Sequence, residues 1–424
     1  MSFPEIVLPR MVKVKQHTAS PQLDDFITVI QQEMLRSGAI QQISPGAEIA
    51  ITAGSRGVAH YPQILAAIVD VVKQAGGQPF IIPSMGSHGG ATPEGQTEVL
   101  HSLGITPESV GAPIHASMEV EQIGSLKNGN PVFVDRIANH ADGIIVVGRV
   151  KPHTDFKGTI ESGLMKMMVI GLGKQKGAEM IDRHRSEGYH TILPEAARLI
   201  LKQTKVLLGV AVVENAHHEI AIVKALTPDE IEHEEKKLLA QAKTLIARLP
   251  FSEIDVLIVE EVGKDISGTG MDTNVIGRFW LPGETAPLAP TIKRIVVLDL
   301  TEHSHGNAVG LGLADITTQR VVSQIDYQAT FTNVLTAGHT ETGRTPIFLP
   351  NDRAAIRMAL QTSVPMQSTT ARVIRITNTL QLGTLWISES LITEIEQHPD
   401  RYPHLQIQGE PQELQFDILG NLAR

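Results

Sequence analysis

The sequence predicts an α/β protein of two domains. Two observations carry this: apolar runs rich in β-branched residues alternate with helical patterns along the chain, and the 424 residues suffice for two cores of ordinary size. EIAITAG (48–54) reads as a buried strand running into a loop. In YPQILAAIVDVVKQAGG, Ile64, Ile68, Val71, Val72 and Ala75 fall on one helical face, and Gly76 and Gly77 stop the helix. QPFIIPSMG is strand and loop again, and ATPEGQTEVLHSLGI opens a helix with Thr92 as N-cap and Pro93 in the first turn. ADGIIVVGRV and KVLLGVAVVEN are strands of the kind a sheet covered on both faces buries.

A charged amphipathic helix, LTPDEIEHEEKKLLAQAKTLIARLP, ends at Pro250, and IDVLIVEEVG and IKRIVVLDL begin a fresh strand–loop pattern. This places one domain at 1–250 and a second at 251–380, with NDRAAIRMALQT as a helix and RVIRITNT as a strand of the latter. The tail, about 381–424, is expected to pack back on the first domain.

Composition removes several function classes. A net charge of −10 supplies no basic excess for neutralising phosphates, so no nucleic-acid partner is expected. The absence of cysteine rules out disulfides, zinc–thiolate sites, iron–sulfur clusters and a thiol nucleophile. No apolar run approaches membrane-spanning length and MSFPEIVLPR does not read as a leader, so a cytoplasmic protein with no membrane partner is expected.

In sheets built from βα units, ligands bind at the carboxyl ends of strands. Four loops of small and polar residues stand there: GSRGVAH, GSHGGATPEG, KPHTDFKG and GKDISGTGMDTN. Their small residues let backbone approach a ligand, and the helix starts behind them offer N–H groups to anions. Together they suggest a small anionic ligand. No dinucleotide or P-loop fingerprint, nucleophile elbow or HExxH pair accompanies them. The distinctive content is a set of bases: His88, His153, Lys157, Lys166, Lys174 and His184. A loop histidine is also what a backbone-bonded imidazole looks like. Lys166, in the apolar stretch ESGLMKMMVIGLG, is either a snorkelling side chain or an amine whose pKa burial lowers.

Taken in order, these segments resemble the nickel-pincer-nucleotide-dependent lactate racemase family, strongly in the first half and in outline in the second. The resemblance implies a cofactor and substrate cleft between two α/β domains, and racemisation or epimerisation of a 2-hydroxy acid other than lactate. GSHGGATPEG matches the segment of one catalytic histidine, His88, and VKPHTDFKG that of the second, His153. SGLMKMMVIGLG matches the segment whose lysine, here Lys166, tethers a nickel-pincer nucleotide, and the arginine of GSRG, Arg56, corresponds to a residue holding an anionic group of substrate or cofactor. The resemblance makes His184 the nickel ligand, with His190 a rival because the intervals His153–Lys166 and Lys166–His184 are longer than in the lactate enzyme. Where the family places a glutamine and a lysine beside the substrate, this chain reads GKDISGTGMDTNVIGR, which offers Lys264, Asp272 and Asn274 for substrate, with Asp265 and Arg278 nearby.

Such an enzyme passes hydride from C2 to the cofactor ring while a base removes the hydroxyl proton. Histidine suits both enantiomers because it titrates near neutrality, and a forked arginine contact fixes the carboxylate. Proteins that assemble the cofactor are implied partners. Two other readings remain open: a hydroxy-acid-binding protein without turnover, and a lysine enzyme forming a Schiff base at Lys166 without nickel. Elsewhere, His303 and His305 share a spacing that would place both on one face of a strand, and His339 and Arg344 are candidates to face substrate.

Overall fold

A computed structural model describes residues 6–18, 20–279, 289–338, 340–363 and 370–423. The chain divides into two compact units, Ser20–Ile246 and, together, Met1–Ala19 with Ala247–Arg424.

In the unit Ser20–Ile246 a five-stranded sheet runs in the order Gln78–Pro83, Glu48–Ala53, Gly143–Arg149, Val206–Glu214, Ile220–Leu226. The first four strands are parallel and the last is antiparallel. Ile49 and Ile51 pack with Ile64, Leu65, Ile68 and Val72 of the helix Tyr61–Gln74 in one core of fully buried side chains. That helix stops at Gly76, whose φ of +87° is a left-handed conformation that a side chain would strain. Thr92 caps the helix Pro93–Ser102 by accepting from Gly95 N–H at 3.0 Å. Because the three strands Gln78–Pro83, Glu48–Ala53 and Gly143–Arg149 are parallel neighbours, the loops carrying His88, Arg56 and His153 leave the same edge side by side.

In the other unit an eight-stranded sheet runs Ile347–Leu349, Ile316–Thr318, Thr291–Val297, Glu253–Val259, Val373–Ile376, Thr384–Ser388, Met11–Gln16, Leu405–Gln412. Its first five strands are parallel and the last three pair antiparallel. The tail therefore belongs with the unit of Ala247–Arg424, as does Met11–Gln16, a strand of the span 1–250. Thr384–Ser388 pairs with Val373–Ile376, and Met11–Gln16 lies between Thr384–Ser388 and Leu405–Gln412, so residues at both ends of the chain complete one sheet. The physical reason is the alternation of Met11–Gln16, whose Val12 and Val14 are buried beside Leu385 and Ile387 while Lys13 and Lys15 face outward.

No helix among the described residues is long and apolar enough to cross a membrane.

Candidate active site

Lys166 ends the turn Leu164–Lys166, and a π-helical turn, Met167–Gly171, follows it directly. The first turn is anchored from outside: the buried carboxylate of Glu235 accepts the Met165 N–H at 3.0 Å. Gly163 makes this approach possible, since a Cβ there would lie 2.4 Å from Glu235 Oε1. Burial pushes the Glu235 carboxyl up to about 7, the Met165 and Leu164 amides pulling the other way. A raised carboxyl pKa makes the folded state bind more protons than the unfolded one between about 4.5 and 7. Stability from this group therefore falls as pH rises through that window, and Glu235→Gln is expected to gain about 3 kcal/mol over the native chain above pH ~8, and nothing at pH ~4. Urea unfolding at the two pH values checks this.

Lys166 Nζ lies 2.6 Å from His153 Nε2. The His153 ring lies in the loop after Gly143–Arg149, tilted against two aromatic rings, its centroid 4.5 Å from Phe156 and 6.0 Å from Tyr189. Its loop is clamped by the buried carboxylate of Glu161, which accepts the N–H groups of His153 (2.6 Å) and Gly158 (3.0 Å) and pairs with Lys243 at 2.7 Å. Burial, followed by the charges of Lys166, Lys157, Lys151 and Arg56, holds the His153 imidazole well below its ordinary value. Burial likewise brings the half-buried Lys166 amine down to about 8, with Asp155 and Asp182 opposing the shift and Arg56 adding to it. Tyr189 donates to Asp182 at 2.5 Å, and burial, reinforced by that carboxylate, drives its hydroxyl pKa well up.

Arg56 is exposed in its loop beside Ser55. Its guanidinium is held below the usual value first by the protein around it and then by the charge of Arg149. Arg149 itself ion-pairs with Glu214 at 2.5 Å. Burial alone would raise the Glu214 carboxyl, yet His218, Arg149 and the Ala59 N–H bring it down to about 2. His88 is exposed, and its Nδ1 meets Ser55 Oγ at 2.5 Å, which joins its loop to that of Arg56.

The His88 loop hangs on a buried chain of polar groups. Gln96 Nε2 donates to Gly86 O (2.9 Å) and His88 O (3.2 Å), and Gln96 Oε1 accepts from Lys174 Nζ at 3.3 Å. Lys174, fully buried, also donates to Pro83 O and pairs with Asp135 at 3.1 Å. Lys174 is therefore a structural cation. Gly95 is required where the helix meets this loop, because a Cβ would come within 2.0 Å of Gly89 O. Gly95→Ala is expected to destabilise the chain by about 1–3 kcal/mol and displace His88, checked by thermal unfolding and the His88 NMR signals.

Of the sequence-singled residues, Arg56, His153 and Lys166 gather within electrostatic reach of one another, and His88 joins them through Ser55. His184 is directed elsewhere: its Nε2 meets Asn130 Oδ1 at 3.2 Å, in the turn of the hairpin Val120–Ser125/Pro131–Asp135. His190, in a second π-helical turn, Gly188–Ile192, stands edge-on to Phe156, ring centroids 5.9 Å apart. The rival ligand thus shares an aromatic neighbour with His153. Among the described residues, no three His, Asp or Glu side chains form a metal site.

Lys264, Asp272 and Asn274 belong to the other unit, where they serve their own loop. Lys264 Nζ donates to Gly268 O at 2.7 Å, and Asp272 Oδ1 accepts the Asn274 N–H and Nδ2, both at 2.8 Å. Asp265 accepts from Thr301, and Arg278 pairs with Asp315 at 2.8 Å. His303 and His305 lie in and just after a 3-10 turn, Glu302–Ser304, not on a strand. His339 lies outside the described residues. A surface cavity of about 710 Å³, lined in part by Pro93, Met118, Glu119, Arg136 and Lys176, includes none of the candidate residues.

Sequence reasoning missed Arg149, Asp155, Glu161, Gln96 and Tyr189. Arg149 was findable, since it ends a strand on the same edge; Glu161, Gln96 and Tyr189 act through contacts that spacing does not show.

Residues 49–259 match a family described as a domain of unknown function, DUF362. No curated protein matches the chain. Among solved structures, that of the lactate racemase apoprotein from Thermoanaerobacterium thermosaccharolyticum is similar at 15% identity, covering 87% of this chain and 88% of that one with a TM-score of 0.42. A likeness of that degree carries no functional weight.

Proposed function

We propose that the chain racemises or epimerises a small 2-hydroxy acid other than lactate, using a nickel-pincer nucleotide tethered to Lys166. The observation that carries this reading is the 2.6 Å pair of Lys166 and His153 at a strand end, with Arg56, Lys151 and Lys157 around it. A lysine with its pKa near 8 suits covalent attachment, and the surrounding cations suit a nucleotide phosphate and a carboxylate substrate. A metal held largely by sulfur of the bound group would need one imidazole from the protein. His184 or His190 would supply it, and His190 stands beside Phe156, the ring on which His153 packs. When bound, the group supplies a hydride acceptor for C2.

The protein does the rest. Arg56 holds the carboxylate, and His88 and His153 take up or return the hydroxyl proton, one for each enantiomer. His153, held neutral by burial and cationic neighbours, is poised as a base.

The test uses chain produced together with cofactor-assembling proteins, examined by intact mass and metal analysis, then offered 2-hydroxy acids carrying deuterium at C2. The expected result is added mass on Lys166, stoichiometric nickel, and inversion that keeps the label. An unmodified, nickel-free chain that binds a hydroxy acid without inverting it would leave a binding protein. Borohydride trapping of a carbonyl substrate on Lys166, without nickel, would favour Schiff-base chemistry.

A further inference from the structure

We propose that the His153 ring, in its Nε2–H tautomer, favours the uncharged amine form of Lys166, so that the protein free of any cofactor captures acyl electrophiles at Lys166 as pH rises toward 8. The inference deepens the tether reading, and it rests on the geometry around one imidazole.

The backbone N–H of Asp155 donates to His153 Nδ1 at 3.0 Å. A ring nitrogen that accepts an N–H bond carries no proton, so the neutral ring must carry its proton on Nε2. Nε2 faces Lys166 Nζ at 2.6 Å. An ammonium has three donors and no lone pair, and would set N–H against N–H at that distance. An amine accepts the Nε2–H instead. The ring has little freedom to escape this arrangement, being packed against Phe156 and Tyr189 while its own backbone N–H is held by Glu161.

Among the charged groups around the pair, the Asp155 carboxylate, 3.8 Å from His153 Nδ1, favours a charged ring, and the cations oppose it. Lys157, bonded through Nζ to His153 O at 2.6 Å, and Lys151 and Arg56 all disfavour further positive charge on the ring. Asp155 and Asp182 favour charge on the amine, but Asp182 already accepts the Tyr189 hydroxyl, and burial outweighs both.

Capture of a thioester balances without another reactant. The amine lone pair forms the C–N bond, the thiolate leaves with the C–S electron pair, and the proton shed by nitrogen goes to that thiolate. The resulting amide nitrogen is no longer basic, so the Nε2–H of His153 loses that acceptor and becomes available to donate its proton. Tether and acid would then be used in sequence: the amine occupies His153 until it is acylated.

Two measurements test this on the full chain produced without cofactor-assembling proteins. Acylation by a small acyl thioester of N-acetylcysteamine, followed by peptide mapping from pH 6 to 10, is expected to favour Lys166 by more than about tenfold over other lysines at pH 7, with a half-maximal rate near pH 8. In His153→Phe, which keeps a ring against Phe156 but no N–H, the midpoint is expected to rise. Nitrogen NMR of 15N-histidine-labelled protein, with His153→Gln to assign the signal, is expected to show the Nε2–H tautomer. An Nδ1–H tautomer or an imidazolium at pH 7 would overturn the proposal even if the variants fail to fold, as would ordinary lysine reactivity at Lys166 or an unchanged midpoint in a folded His153→Phe. A reactive Lys166 that never acquires cofactor would sink the racemase reading alone; nickel loading on a chain whose Lys166 is unreactive to thioester would sink this inference alone.

Discussion

Lys166→Ala is expected to remove the covalent added mass and all measurable inversion of the 2-hydroxy acid, while leaving the chain folded. Its amine contacts His153, and the two carboxylates that act on it, Asp155 and Asp182, have further partners in His153 and Tyr189, so truncation removes chemistry without stranding a charge. Lys166→Arg separates tethering from charge, because it keeps a cation but cannot be acylated under these conditions; it is expected to be as inactive as the alanine variant. His88→Ala should retain the added mass and lose about 10²- to 10⁴-fold in turnover, the usual worth of a positioned acid–base group, and His153→Ala should lose as much turnover while acquiring the added mass more slowly. Intact mass and a chiral assay on the same preparations distinguish these cases. Turnover by Lys166→Arg at the native rate would end the tether mechanism.

The largest effect on stability is expected at Lys174. Its ammonium is fully buried against Asp135 at 3.1 Å and also donates to Pro83 O and Gln96. Lys174→Met leaves the Asp135 carboxylate, itself fully buried, without its counter-charge. Breaking such a pair from one side costs about 3–5 kcal/mol, whereas replacing both partners by apolar groups is often close to neutral. Denaturant unfolding of Lys174→Met and of the double variant Asp135→Leu/Lys174→Met should therefore differ, with the double variant the more stable. A single variant within about 1 kcal/mol of the native chain would show that water reaches Asp135 and that the pair contributes little.

Four strands of the five-stranded sheet were legible because they are short apolar runs bounded by loop signals. EIAITA, FIIP, GIIVVGR and VLLGVAVV all lie where their composition places them. Leu405–Gln412 was not legible: its residues are intermediate or exposed, and its partner, Met11–Gln16, lies at the other end of the chain. The strand-end rule found Arg56, His88 and His153, since a parallel sheet delivers its loops to one edge. It did not show that Lys166 would meet His153, because a π-helical turn and the Glu235 anchor shape that segment and neither has a local signature. The same limit applies to His184 and His190. Both lie near helical ends at plausible intervals, and only the side-chain surroundings, Asn130 for one and Phe156 for the other, tell them apart.

The sheet completed by both ends of the chain has a consequence for synthesis. A ribosome releases Met11–Gln16 about 370 residues before either of its neighbours, Thr384–Ser388 and Leu405–Gln412, exists. At roughly 5–20 residues per second that strand waits on the order of 20–70 s, while all of Ser20–Ile246 emerges and can fold. Buried Val12 and Val14 would be sticky in that interval, and Lys13 and Lys15, alternating with them, are the kind of charge that keeps a lone strand from joining another. The two lysines thus guard a nascent chain as much as they solubilise a finished one.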